Sequence, residues 1–229
     1  MKIKHKHHLR KGFSLVELLV VIAIIAGLAA VSYGPIIKQM KAAEKNNAIT
    51  AARNIYTAMQ SYANDNDGLF PNESTARSGE NGSTAEGCFT MLINAGKIDN
   101  EEIFWNTANN SIGTTAAAKP DLNGEVDPGE NAWGYVSGLS TSSRTNLPLL
   151  FDASTDIGTF DTGVWDGFAI VAKLDSSVEA LRIDYTGAPL NEDGTSKQGA
   201  ILEKRGGSNV DIFQEGLPAG TTVIPANGN

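Results

Sequence analysis

The chain changes character several times along its length. It opens with a basic, polar dozen residues, MKIKHKHHLRKG, and then runs apolar from Phe13 to Ile37, 25 residues with a single charge, Glu17. As a helix that run reaches roughly 37 Å, enough to cross a hydrocarbon layer of roughly 30 Å. Beyond Pro35 the apolar positions narrow to a stripe: Ala48, Ala52, Ile55, Met59 and Tyr62 recur at helical spacing. Lys41, Glu44, Lys45, Asn46, Asn47 and Arg53 occupy the positions between. This period predicts an amphipathic helix whose stripe faces the chain's own sheet. Gly34-Pro35 predicts a kink or a loosened turn, and Asn64-Asp65-Asn66-Asp67-Gly68 followed by Pro71 predicts the stop. From Phe13 to Ala63 the expected stem is 51 residues, roughly 75 Å if continuous.

Residues 64–229 are rich in Gly, Ser, Thr, Asn and Asp, and the pattern shortens accordingly. Gly87–Lys97 predicts a short helix closed by Gly96. Strands are expected at Trp133–Val136, Leu147–Phe151, Gly167–Leu174, Val178–Ile183 and Gly199–Glu203. The third and fourth read as an antiparallel hairpin around Asp175-Ser176-Ser177. Segments 72–87 and 106–131 read as long connections and 220–229 as a frayed tail. The fold class expected is α+β: a long N-terminal helix, one half apolar and one half amphipathic, on a small antiparallel sheet with long loops. Four regions follow: a basic leader 1–12, an apolar helix 13–37, an amphipathic stem 38–63 and an acidic loop-rich domain 64–229.

Composition then removes mechanisms. All three histidines (His5, His7, His8) lie in the first eight residues, so a chain without that segment has no imidazole for Ser-His-Asp catalysis or a His-ligated zinc. The single Cys88 makes no intramolecular disulfide and reads as a small buried apolar residue. The net charge of -8 hides a gradient from a basic leader to a strongly acidic domain, which disfavours nucleic acid as a main partner. An enzyme is not expected.

One acidic loop bears on chemistry. Asp121, Asn123, Glu125 and Asp127 place oxygen side chains at alternate positions, with Glu130 three residues later. Such a loop is suited to Ca2+, a cation that takes six to eight oxygens. It is also readable, and more readily, as a solvated acidic loop. Asp152, Asp156, Asp161 and Asp166 form a second acidic group open to the same two readings.

The basic-then-apolar opening also fits a secretory signal peptide, with Leu28-Ala29-Ala30 as small residues for cleavage. Glu17 argues against it. A carboxylate in a membrane helix costs roughly 2.5–3.5 kcal/mol and is excluded unless it has a role. The string Lys11-Gly12-Phe13-Ser14-Leu15-Val16-Glu17-Leu18-Leu19-Val20-Val21 resembles the leader and cleavage site of type IV prepilins and type II secretion pseudopilins. That resemblance implies cleavage between Gly12 and Phe13 by a prepilin peptidase, N-methylation of Phe13, and an assembly role for Glu17 opposite a neighbouring subunit's amine. It implies a structural subunit that polymerises into a type II secretion pseudopilus or a type IV pilus-like filament.

Its implied partners are further pilin-like subunits, the peptidase and an inner-membrane assembly platform with its ATPase. Its implied place is a single pass of the inner membrane, N-terminus cytoplasmic and domain periplasmic, and then a filament. No cofactor is required, and Ca2+ is the one the resemblance raises, since major pseudopilins often carry a calcium site towards the C-terminus. Tyr62–Pro71 is similar to the end of the pseudopilin helix. Trp165–Val178 resembles the C-terminal hairpin of pilin-like proteins, without the family's His and with Ser176 where the family has Gly. The competing class is a membrane-anchored or secreted binding module or hydrolase with a signal-anchor N-terminus.

Overall fold

The stripe at Ala48, Ala52, Ile55, Met59 and Tyr62 is buried along its whole length, and the rest of the fold is arranged around it. The computed structural model describes residues 14–106, 119–185 and 198–226. Helix α1 (Leu15–Asp65) is assigned without a break through Pro35 and ends two residues past the expected Ala63. Gly68 N donates back to Ala63 O at 2.8 Å, with Asp67 and Gly68 both at positive φ. The chain divides into two compact units between Ala43 and Glu44, so the amphipathic part of α1 belongs with the domain that follows.

In the first unit every described side chain from Ser14 to Val31 is exposed. Among the described residues no helix is long and apolar enough to cross a membrane. Part of the expected Phe13–Ile37 run lies outside the described residues, as do the leader, Gly12 and Phe13.

In the second unit, α2 (Ala85–Asn94) starts two residues before the expected Gly87, because Thr84 caps it by accepting from Gly87 N at 3.1 Å. It ends at Asn94, short of the expected Lys97, and is closed by Gly96 as expected. Gly96, at φ +65°, donates to Ile93 O while Lys97 N donates to Leu92 O, the paired bonds that close a helix with a left-handed residue. A single 3-10 turn, Glu101–Phe104, follows.

The strands in chain order are β1 (Gly134–Ser137), β2 (Pro148–Phe151), β3 (Ser154–Asp156), β4 (Thr159–Asp161) and β5 (Phe168–Lys173). After them come β6 (Val178–Arg182), β7 (Gln198–Gly199), β8 (Leu202–Arg205), β9 (Ser208–Asp211) and β10 (Thr222–Ile224). The main sheet has the order β10-β1-β2-β5-β6, and all its pairs are antiparallel. Strands β3-β4-β7 and β8-β9 form two small accessory sheets. The described part of the chain is therefore α+β.

Four expectations change. Gly199–Glu203 is two strands in different sheets, β7 and β8, because Ala200 bridges to Asp184 between them. The tail 220–229 contains β10, whose Val223 and Ile224 are buried against β1; residues 227–229 lie outside the described set. No strand was expected at β3, β4 or β9; β3 pairs with β4, and β9 pairs with β8 as a second hairpin.

The core joins α1 to the sheet. Tyr56 Oη donates to Leu174 O at 2.7 Å and Tyr135 Oη to Pro71 O at 2.8 Å, so both buried phenols keep a partner. Phe89 stacks on Phe104 at 4.6 Å, and Phe151, Phe160 and Phe213 form a second aromatic group. Cys88 is buried and free, its thiol pushed up to about 12 by desolvation and then by Glu86 and Glu73. It is a packing residue with no thiolate chemistry at neutral pH.

The β5–β6 hairpin turns as expected, with Ala172 opposite Val178. Ser176 there has φ +69°, a left-handed conformation that costs an L residue with a Cβ roughly 1–2 kcal/mol. Ser176→Gly is expected to stabilise the chain by about 0.5–1 kcal/mol, the strain relieved less the added freedom of the unfolded chain. Urea unfolding at one pH measures it, and a destabilised variant contradicts the strain.

Candidate functional site

Two places in the chain gather groups with more to do than pack. The first is the start of α1. Ser14 precedes the helix, and its Oγ accepts from Val16 N at 3.3 Å. Three residues on, Glu17 reaches back so that its Oε2 accepts from Ser14 N at 2.9 Å. This reciprocal arrangement is a capping box, which satisfies amides that a helix N-terminus leaves without partners. It also sets a carboxylate at the positive end of the helix dipole. Glu17 thus has a local partner inside its own chain. The Ser-x-x-Glu spacing of Ser14 and Glu17 is the signal that reveals it, masked in a first reading by the apolar run. Beyond the cap, Leu15, Val16, Leu18, Leu19, Val20, Val21, Ile22, Ile24, Ile25, Leu28 and Val31 are each at least 45% exposed. A helix apolar on every face and covered by nothing in its own unit has surface to bury elsewhere.

The second place lies between α2 and β1. Asn100 caps the 3-10 turn by accepting from Glu102 N at 3.1 Å, which turns Glu101 inward until it is wholly buried. Glu101 Oε2 accepts from Gly124 N at 3.0 Å, whereas its Oε1 is buried without a hydrogen-bond partner. The loop that meets it is wound by its own side chains. Asp121 Oδ1 accepts from Asn123 N, Asn123 Oδ1 accepts from Glu125 N, and Asn123 Nδ2 donates to Asp127 Oδ2. Val126 N donates to Thr90 Oγ1 at 2.9 Å, which ties the loop to α2. Glu130 closes it from below: Oε1 accepts from Asp121 N and Oε2 from Asp127 N. Burial pushes the Glu130 carboxyl above its usual range; those two hydrogen bonds oppose the shift, and the charges of Asp121 and Asp127 add to it.

One carboxylate oxygen from each of Glu101, Asp121 and Glu130 lies within 4.8 Å of the others. Of the four loop residues singled out by spacing, Asp121 is in this group. Asn123 and Asp127 bond to each other, and Glu125 is exposed. Glu101 escaped the sequence reading because it sits twenty residues away on a different element. Nothing in its local pattern marks it as inward-facing.

The second acidic group comes apart. Among the described residues, no three of Asp152, Asp156, Asp161 and Asp166 bring ligand atoms together. Asp152 is buried on its own, accepting from Ile170 N and from the Trp165 indole, both at 2.6 Å. Asp161 Oδ1 accepts from Gly163 N at 2.7 Å, and Asp156 Oδ1 accepts from Ile157 N at 2.7 Å. These carboxylates are spent on turns and on the sheet, not on a shared ligand.

Comparison with known proteins finds one relationship. No curated protein and no solved structure matches the chain. Residues 8–33 match the family described as the prokaryotic N-terminal methylation motif. The matched segment takes in the Ser14–Glu17 cap and the exposed apolar helix. Residues 8–33 therefore carry the prepilin-type cleavage and methylation signature of type IV pilins and pseudopilins.

Proposed function

We propose that this chain is the precursor of a filament subunit with a pilin-like architecture. A prepilin peptidase removes residues 1–12 between Gly12 and Phe13 and methylates the Phe13 amine, leaving 217 residues. The apolar start of α1 holds the precursor in the inner membrane as a single pass, with the acidic domain on the periplasmic side. With the assembly platform and other pilin-like subunits, that helix then passes into the core of a type II secretion pseudopilus or a type IV pilus-like filament. No enzymatic step is assigned to the chain. Proteins bearing this motif are structural subunits.

The observation that carries the reading is a helix exposed and apolar on every described face, lying within the matched segment 8–33 and interrupted only by Glu17. In an apolar filament core a carboxylate needs a counter-charge, and the methylated amine of a neighbouring Phe13 is one at nearly the same depth. An unpaired buried charge costs about 3–5 kcal/mol, so the pair sets axial register more than it adds stability.

The test is the mature N-terminus together with two Glu17 variants. Mass spectrometry of the chain purified from membranes is expected to give methyl-Phe13. An intact Met1, or a start near Val31, belongs instead to an anchored or secreted module. Glu17→Gln keeps an acceptor for Ser14 N and loses the charge; Glu17→Ala loses both. Both variants are expected to be cut normally and to yield filaments at least roughly tenfold down. A Glu17→Gln chain that polymerises like the wild type shows that the helix cap, and not the charge pair, is what assembly needs.

A further inference from the structure

We propose that Lys45, Arg182 and Lys204 form a cationic patch that docks the domain on the anionic phospholipid headgroups beside its own stem. The inference rests on the single-pass reading above. Lys38, Lys41 and Lys45 follow the apolar run and recur at helical spacing, so by sequence they share one face of the stem. The domain itself fixes Lys45, whose Nζ lies over the Phe168 ring, 5.2 Å from its centroid. Phe168 opens β5 and stands directly opposite Arg182, the last residue of β6. Arg182 in turn shares with Lys204 and Tyr185 an open depression of about 490 Å3. Strand pairing, and not nearness in sequence, brings the three cations together.

Their charge is not answered by the protein. Elsewhere Lys97 pairs with Asp65, and Lys173 and Arg205 pair with Glu203. Among the described residues Lys45, Arg182 and Lys204 have no ion-pair partner, and the last two are exposed. Asp184 lines the same depression, which leaves a surplus of one positive charge there and of two with Lys45. Glu44, the neighbour of Lys45 in sequence, lines a different groove with Ile103 and Trp105. A positive surplus on a domain so acidic overall is a surface for an anion. Its place selects which anion. Lys45 lies eight residues past Ile37, roughly 12 Å along a helix. Headgroups extend about 5–8 Å beyond the hydrocarbon, so the ammonium stands within about one Debye length, roughly 8 Å, of their phosphates.

The experiment places the full-length chain in nanodiscs of phosphatidylcholine or of phosphatidylglycerol and labels its amines before mass spectrometry, a readout that needs no polymer. Lys97, paired with Asp65 at the far end of α1, is the internal reference. Relative to it, labelling of Lys45 and Lys204 is expected to fall at least roughly threefold in phosphatidylglycerol. High salt is expected to restore it. Glycerol phosphate added to the phosphatidylcholine discs is expected to give no protection, which separates a membrane headgroup from a free phosphate. Arg182→Gln, at an exposed position, is expected to weaken the protection of Lys204 and to leave the melting temperature unchanged. A chain that enters neither disc overturns the membrane reading and the patch with it. A chain that enters both and is labelled equally overturns the patch alone. So does protection confined to Lys45, since the stem then meets the headgroups without the domain. Protection by glycerol phosphate, or protection that Arg182→Gln leaves intact, overturns it as well.

Discussion

Between pH 4 and pH 7 the chain is expected to lose stability on the order of 4 kcal/mol through Asp152, and Asp152→Asn is expected to remove that loss. Asp152 is completely buried with no cation beside it among the described residues, and desolvation pushes its carboxyl up to about 7 from an ordinary 3.8. The bonds from Ile170 N and the Trp165 indole oppose the shift without cancelling it. The sign follows directly. The unfolded chain releases this proton near pH 4 and the folded chain holds it to about pH 7. In that window the folded state binds more protons, so stability falls as pH rises and levels off above 7.

Asparagine keeps an acceptor for one of the two N–H groups but turns its own NH2 toward the other, at a cost of about 1–3 kcal/mol at low pH. The wild type should therefore lead at pH 4 and lose that lead by pH 8. Other groups also titrate here, including Asp175, whose carboxyl is held low mainly by Ser177. For that reason the informative quantity is the difference between the two urea-unfolding curves at each pH. A difference that stays flat from pH 4 to 8 would mean that Asp152 is not holding its proton. The structural sense of Asp152 is plain in the sheet. Its N–H donates to Ile170 O while its side chain takes the Ile170 N–H, so the residue carries the β2–β5 ladder one step past the end of β2.

How far the residues announce this fold depends on the range of the forces that set each element. The stripe from Ala48 to Tyr62 and the β5–β6 hairpin were legible because their patterns are local: a helical period, and two apolar runs around a turn. The short helix was legible at Gly96 and misplaced at its start, since Thr84 acts through one side-chain bond that hydrophobicity does not register. Strand β10 was read as a tail because the four residues between Pro218-Ala219-Gly220 and Pro225 look like loop. What makes them a strand is the open edge of β1, which no local pattern reveals. Ala200-Ile201 reads as the middle of one strand, yet the chain changes partners there, a tertiary decision. The acidic sites divide in the same way. Spacing pointed to the loop around Asp121, but Glu101 and Glu130 are brought to it by the 3-10 turn and by backbone bonds to the loop. Glu17 was recognised for its cost in an apolar helix, and its helix cap with Ser14 shows only when the helix start is fixed.

A large effect of a single methyl group is expected at Gly134. This glycine lies directly opposite Phe151 across β1 and β2, and the phenyl ring folds over it. A Cβ built there would stand 2.2 Å from Cε2 and 2.4 Å from Cζ of Phe151. The ring is fully buried and closely neighboured. It packs against Phe213 at 4.7 Å and Phe160 at 5.8 Å, both edge-on. Gly134→Ala is therefore expected to cost about 2–3 kcal/mol and to lower the melting temperature by roughly 5–10 °C. A smaller side chain opposite should relieve it. Phe151→Leu alone is expected to cost about 1–2 kcal/mol through lost packing, and the double variant less than the sum by at least about 1 kcal/mol. Strict additivity in that cycle would show that the ring yields freely, and that the aromatic group formed with Phe160 and Phe213 does not fix the β1–β2 register. If the coupling is present, the glycine is the space that lets one aromatic ring tie the main sheet to the strands beyond it.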